Sequence, residues 1–326
     1  MQEETDGVAL NPMAINADKP QQWKKDIAAS VDLFNRWFIK FAPKTYRDTR
    51  LKTTEFVEDA LSLTNDLRSI TPDVLAKHPK VLPALRMSTA PPLARDRLVG
   101  LAYTSKNLVL VMEKGAIPPR LDKKVLGTEL ANICGTIQQL LDRDIFPWLE
   151  RGVTPSEAER YRASTIIADR LCGAMADPIV RNAQEQRQLA MIETYLKKMG
   201  YRRKSPVGAI ADMEPGTFAF RVNVQVGSTR KLNIPIDIVI QPKAPRKGRI
   251  PLLIEAKSAG DFTNTNKRRK EEATKIRQLT ATYGDDAKLV LFLCGYFDSG
   301  YLGYEAAEGI DWVWEHRIDD LMKLGI

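Results

Sequence analysis

From Gln21 onward, apolar residues recur at three- and four-residue intervals: Trp23, Ile27, Val31, Phe34, Phe38 and Phe41 share one helical face. Ala42-Pro43 is the predicted end of that helix, because proline removes a backbone donor and restricts the residue before it. The same period predicts helices over 54–69, 93–113 and 122–142. After the helix-start signature Thr154-Pro-Ser-Glu it predicts another over 158–175. The first twenty residues carry no such period and read as a mobile arm.

Past residue 178 the texture changes. A helix from about Val180 to Met199 stops at Gly200, and period-two or continuous apolar runs follow at 217–226, 233–241 and 251–257. A basic, proline-rich connection, Pro242-Lys-Ala-Pro-Arg-Lys-Gly-Arg, separates the second run from the third. A helix over about 266–283 precedes the buried-strand pattern Lys288-Leu-Val-Leu-Phe-Leu-Cys, and a short run at 309–314 and a last helix to Leu324 close the chain. A crossover helix between two strands implies a parallel pairing. The expectation is a mostly helical domain over 1–178 and an α/β domain over 179–326, whose mixed sheet has helices on both faces.

Composition narrows the partners. The 326 residues are 44% hydrophobic and 28% charged, as in ordinary globular proteins, and the net charge of +8 favours a polyanion such as nucleic acid. No apolar run reaches membrane-spanning length, and the polar, acidic start is no signal peptide. Cys134, Cys172 and Cys294 are scattered and odd in number, which suits core packing in a reducing compartment. With only His78 and His316, chemistries built on several histidines are excluded. No phosphate-loop motif is present, and Ala90-Pro-Pro-Leu lacks the polar and aromatic residues of an amino-methyltransferase motif.

Three residues stand out on otherwise apolar strands: Asp237 in Asn233–Gln241, and Glu255 and Lys257 in the next run. Strand alternation puts the isoleucines at 234, 236, 238 and 240 on one face and Asp237 on the other, with Leu253, Glu255 and Lys257 sharing a face of the neighbour. Hairpin pairing then lets the three converge. Two carboxylates with open coordination positions suit Mg²⁺, and a lysine beside them can orient a water or neutralise charge on a phosphate. Glu185 falls within the apolar stripe of the preceding helix, a further candidate metal ligand. After Lys257, a small polar segment with Asn264 and Asn266 runs into Lys267, Arg268, Arg269 and Lys270, which suit contacts with phosphates and base edges. Four cations at a helix start oppose the helix dipole and point to a functional demand.

Pro235-Ile-Asp237 with Glu255-Ala-Lys257 resembles the PD-(D/E)XK nuclease signature, with an isoleucine between the proline and the aspartate. The continuation to Glu272 resembles type II restriction endonucleases, and the XamI family in particular. Trp23…Ser30-Val-Asp-Leu-Phe-Asn-Arg-Trp-Phe and Leu85-Arg-Met-Ser-Thr-Ala-Pro-Pro-Leu-Ala-Arg-Asp-Arg-Leu resemble that family too. The resemblance implies a PD-(D/E)XK core in the C-terminal half and Mg²⁺-dependent cleavage of both strands of unmethylated duplex DNA. It further implies a homodimer, a separate methyltransferase acting on the same site, and the bacterial cytoplasm. Asp237, Glu255 and Lys257 would be catalytic, Asp237 and Glu255 would hold metal, and the helical domain, with Arg86, Arg95 and Arg97, would serve DNA recognition or dimerisation. A structure-selective repair nuclease of the same fold and a non-catalytic DNA-binding protein remain the alternatives.

Overall fold

The computed structural model describes residues 14–206, 208–227, 231–245, 250–262, 265–285 and 287–326, with backbone alone at 265–268. Eight helices come first: α1 (Pro20–Leu63), α2 (Pro72–Lys77), α3 (Leu82–Met87), α4 (Arg95–Leu101), α5 (Lys106–Met112), α6 (Lys123–Leu140), α7 (Pro147–Arg151) and α8 (Glu157–Lys198). Then follow β1 (Arg202–Arg203), β2 (Thr217–Val226), β3 (Leu232–Gln241), β4 (Leu252–Ala259), α9 (Thr265–Tyr283), β5 (Leu289–Gly295), α10 (Ser299–Ala307), β6 (Asp311–Trp314) and a 3₁₀ segment, Glu315–Leu324.

Two compact units result. One holds Phe41–Val180, and the other joins the residues up to Lys40 to Arg181–Ile326. The helical unit therefore begins at Phe41 rather than at the chain's start. The reason lies in what the early residues touch. Trp23 stacks edge-on against Trp312 of β6 at 5.5 Å, and the Ser30 hydroxyl accepts from Gly295 N at 2.8 Å. The expected arm does not extend to residue 20. Asn16 is buried and donates to Trp312 O at 2.8 Å, while Asn16 N and Ala17 N reach Asp311 Oδ1 at 3.0 and 3.1 Å. Residues 1–13 lie outside the described residues.

Among the described residues the sheet has six strands in sequential order. β2, β3 and β4 form an antiparallel meander, whereas β1 runs parallel to β2, β5 to β4 and β6 to β5. The α9 crossover delivers the parallel β4–β5 pair that its position predicts. One face carries a core of Leu253, Leu291, Trp312, Leu279 of α9 and Tyr301 of α10. The other packs Ile238, Ile254, Phe292 and Val313 against Leu189, Ile192 and Leu196 of α8. The unit is thus a mixed sheet between helical layers, an α/β arrangement.

The helical unit has its own core, from Val57 and Leu61 of α1 through Leu85, Leu108 and Ile133 to Trp148 and Ile167. Two predicted helix ends are absent: α1 continues through Pro43 and α8 through Pro178. Each proline strips the carbonyl four residues back of its N–H partner. Those carbonyls belong to Ile39 and Ala174, exposed positions where water can serve instead. Conversely, the single helix expected over 93–113 is two, α4 and α5, divided at Ala102–Ser105.

Candidate active site

β3 and β4 pair through Ile238–Ile254, Val239–Leu253 and Ile240–Leu252, and the next step in that register sets Asp237 across from Glu255. There the Asp237 side chain intervenes. Its Oδ2 accepts the backbone N–H of Ala256 at 2.9 Å. The two carboxylates thereby occupy the point where the antiparallel pairing opens.

On the other side of β3, Arg221 is the residue across from Asp237, and it adopts φ +53° between the paired Phe220–Ile238 and Val222–Ile236. A left-handed backbone at a non-glycine residue costs roughly 1–2 kcal/mol. It also shifts the phase of both strands. Ala219 and Val222, three apart, face the same core, as do Ile236 and Val239. The four isoleucines of β3 therefore do not share a face: Ile234 and Ile236 join the α9 side, and Ile238 and Ile240 the α8 side. Strict alternation fails at the position that carries Asp237.

On β4 alternation holds. Leu253 and Ala259 face the α9 side, and Glu255 and Lys257 come together, with Lys257 Nζ 3.3 Å from Glu255 Oε2. Glu255 is 3% exposed, and a second ammonium holds its other oxygen: Lys275 Nζ of α9 lies 2.7 Å from Oε1 and 3.0 Å from Pro235 O. Lys257 also lies 3.5 Å from Glu272 Oε1, again from α9. Burial and then the charge of Glu255 push the Asp237 carboxyl up to about 6. For Lys257, burial pulls downward, but Glu255, Glu272 and Asp237 more than offset it, and the ammonium is held above its usual value. Asp237, Glu255 and Lys257 are thus brought together as the sequence reading expects.

Glu185 is not. It is half-exposed and paired with Arg221 Nη2 at 2.8 Å, and it reaches Asp237 only as a further negative charge raising its proton affinity. The buried positions on this turn of α8 are Gln184 and Gln188, and Gln188 Nε2 donates to Lys257 O and Phe292 O at 3.4 and 3.3 Å. Among the described residues, no three histidine, cysteine, aspartate or glutamate side chains gather as a metal cage. Two crowded carboxylates still fit a divalent cation that keeps most of its waters, as Mg²⁺ does.

Arg86 is held inside the helical unit. It is 6% exposed and grips Glu113 with two bonds, Nε–Oε1 at 2.8 Å and Nη2–Oε2 at 2.9 Å, while Nη1 donates to Leu93 O. Arg269 lays its guanidinium 3.7 Å over the Tyr304 ring, and Lys270 is exposed. Asn264 and the side chains of Asn266, Lys267 and Arg268 lie outside the described residues. The cysteines are buried and free, which agrees with core packing. No helix among the described residues is long and apolar enough to cross a membrane.

Sequence reasoning missed Glu272 and Lys275. A signal existed: Glu272 continues the stripe of Ile276, Leu279 and Tyr283 toward the start of α9, and Lys275 stands one turn on. A carboxylate in an apolar stripe needs a buried partner.

Residues 65–314 match the family model described as XamI restriction endonuclease. The chain is 59% identical over 313 residues to the type II restriction enzyme SalI of Streptomyces albus G, covering 95% of this chain and 99% of that one. It is 27% identical over 192 residues to the type II restriction enzyme XamI of Xanthomonas campestris pv. amaranthicola, covering 58% and 62%. With the family model spanning most of its length, the chain belongs to the XamI restriction endonuclease family.

Proposed function

We propose that this protein is a type II restriction endonuclease of PD-(D/E)XK architecture that hydrolyses phosphodiester bonds in both strands of unmethylated duplex DNA at a specific sequence, with Mg²⁺. The observation that carries the reading is the set of buried Glu255 with half-buried Asp237 and Lys257 on two adjacent strands, in a chain of this family. Asp237 and Glu255 would hold the cation, which supplies Lewis-acid stabilisation of the phosphate and a more acidic water. The chain's own part is orientation and charge. Lys257, kept protonated by its carboxylate neighbours, is a donor and a cation rather than a proton acceptor. It suits aligning the nucleophile and neutralising charge that develops on a phosphate oxygen. Arg269 and Lys270 at the start of α9, with Asn264, Asn266, Lys267 and Arg268, supply the basic segment for the DNA. The expected assembly is a homodimer on a palindromic site, with a separate methyltransferase protecting that site. The test is incubation of the purified protein with unmethylated phage DNA, in Mg²⁺ or in EDTA, beside Lys257→Ala. Discrete fragments that require Mg²⁺ and vanish in the variant are expected. A smear, or cleavage unchanged in Lys257→Ala, would overturn the reading.

A further inference from the structure

Behind Lys257 lies a carboxylate that the site as described does not use. Glu272 of α9 is fully buried, yet its Oε1 stands 3.5 Å from Lys257 Nζ and its Oε2 accepts the Tyr301 hydroxyl at 2.7 Å. Glu305 of α10, 2% exposed, neighbours Glu272, and burial together with that neighbour pushes its carboxyl up to about 9. It therefore carries its proton at neutral pH. Glu272 has the Tyr301 phenol and the Glu305 carboxyl turned toward it.

A structural ion pair needs one carboxylate, and Lys257 already has Glu255 at 3.3 Å. A second carboxylate, with no cation beyond Lys257 paired to it among the described residues, is a costly addition to a closed core. Its consequence is geometric. The Lys257 ammonium is drawn toward two carboxylates as ion pairs, Glu255 at 3.3 Å and Glu272 at 3.5 Å. Glu272 sits on a helix and Glu255 on a strand, so the ammonium is fixed between two rigid elements rather than swinging on a four-carbon stem.

We propose that Glu272 is a positioning residue for DNA cleavage, anchoring the Lys257 ammonium from α9 while Tyr301 and Glu305 hold Glu272 in place. The inference rests on the nuclease reading above. It is tested in the full-length protein with Glu272→Gln, which keeps the side-chain volume and can still accept from Tyr301. Single-turnover cleavage of unmethylated DNA in Mg²⁺, DNA binding by gel shift in EDTA, and a thermal melt are measured beside wild type and Lys257→Ala. The cleavage rate is expected to fall about 10–100-fold, the usual span for a residue that orients a catalytic group, with DNA affinity within about twofold. A folded Glu272→Gln protein that cuts at the wild-type rate while Lys257→Ala is inactive overturns the inference and leaves the nuclease reading standing. Full activity of Lys257→Ala overturns the nuclease reading itself, and the inference with it. A loss of affinity in step with the loss of rate assigns Glu272 to binding and also overturns it. Should Glu272→Gln not fold, Tyr301→Phe decides: it keeps the ring and removes the hydroxyl that orients Glu272. A severalfold slower rate then supports the proposal, and an unchanged rate overturns it.

Discussion

Two buried charge groups, one in each unit, show what balance does. In the helical unit Arg86 and Glu113 match one cation to one anion through a two-bond fork, and the remaining arginine donor meets a backbone carbonyl. In the sheet unit Asp237 and Glu255 crowd together until the aspartate holds its proton to about 6, and Glu272 and Glu305 form a second buried carboxyl pair. The first group is complete and serves stability. The second holds more carboxylate than its two ammonium groups, Lys257 and Lys275, balance, and a carboxyl's proton affinity is raised in consequence.

The largest effect is expected at Glu255. Glu255→Gln is expected to abolish Mg²⁺-dependent cleavage, by about a thousandfold or more given the loss of a charged ligand. Retained cleavage in a gel assay would remove the site from consideration. Arg86→Ala sharpens the other side. It strands Glu113 in the helical unit and should cost about 3–5 kcal/mol by urea unfolding, whereas a loss below about 1 kcal/mol would mean the pair is held no better than a surface bridge. The smallest effect is expected at Lys270, exposed at the start of α9. Lys270→Ala should weaken DNA binding evenly across sequences and flatten the salt dependence by about one unit in log–log slope. An unchanged slope would place it away from the phosphates.

The strands were largely legible because their apolar runs are bounded by glycine and proline, and β2 spans the residues its pattern predicts. Lys257 and Glu255 were legible as charges on a strand that alternation resolves correctly. The face assignment of β3 was not, because no apolar pattern reports that Arg221 takes a left-handed backbone and shifts the phase at Asp237. Pro43 misled for a related reason: whether a proline ends a helix depends on where the freed carbonyl lies, which is a tertiary fact. Arg86 shows the limit for cations. An arginine that serves a buried carboxylate and one that serves a phosphate look alike until the partner is placed. Glu272 and Lys275 were hidden inside a helix that reads as a basic, solvated surface, although the phase of its apolar stripe carried the hint.

Asp237 reports whether the sheet unit stores uncompensated negative charge for function. Its folded proton affinity lies above that of a free carboxyl near 3.9, so the folded state binds more protons between there and about 6. Stability accordingly falls as pH rises through that window, and the cost persists above it. Asp237→Asn removes the charge and can keep an oxygen for Ala256 N. In EDTA at pH 8 the variant should be more stable than wild type by roughly 1–3 kcal/mol, with the difference closing below about pH 4, and it should not cleave DNA when Mg²⁺ is supplied. A variant that is less stable than wild type at pH 8, or that still cuts, would contradict the account.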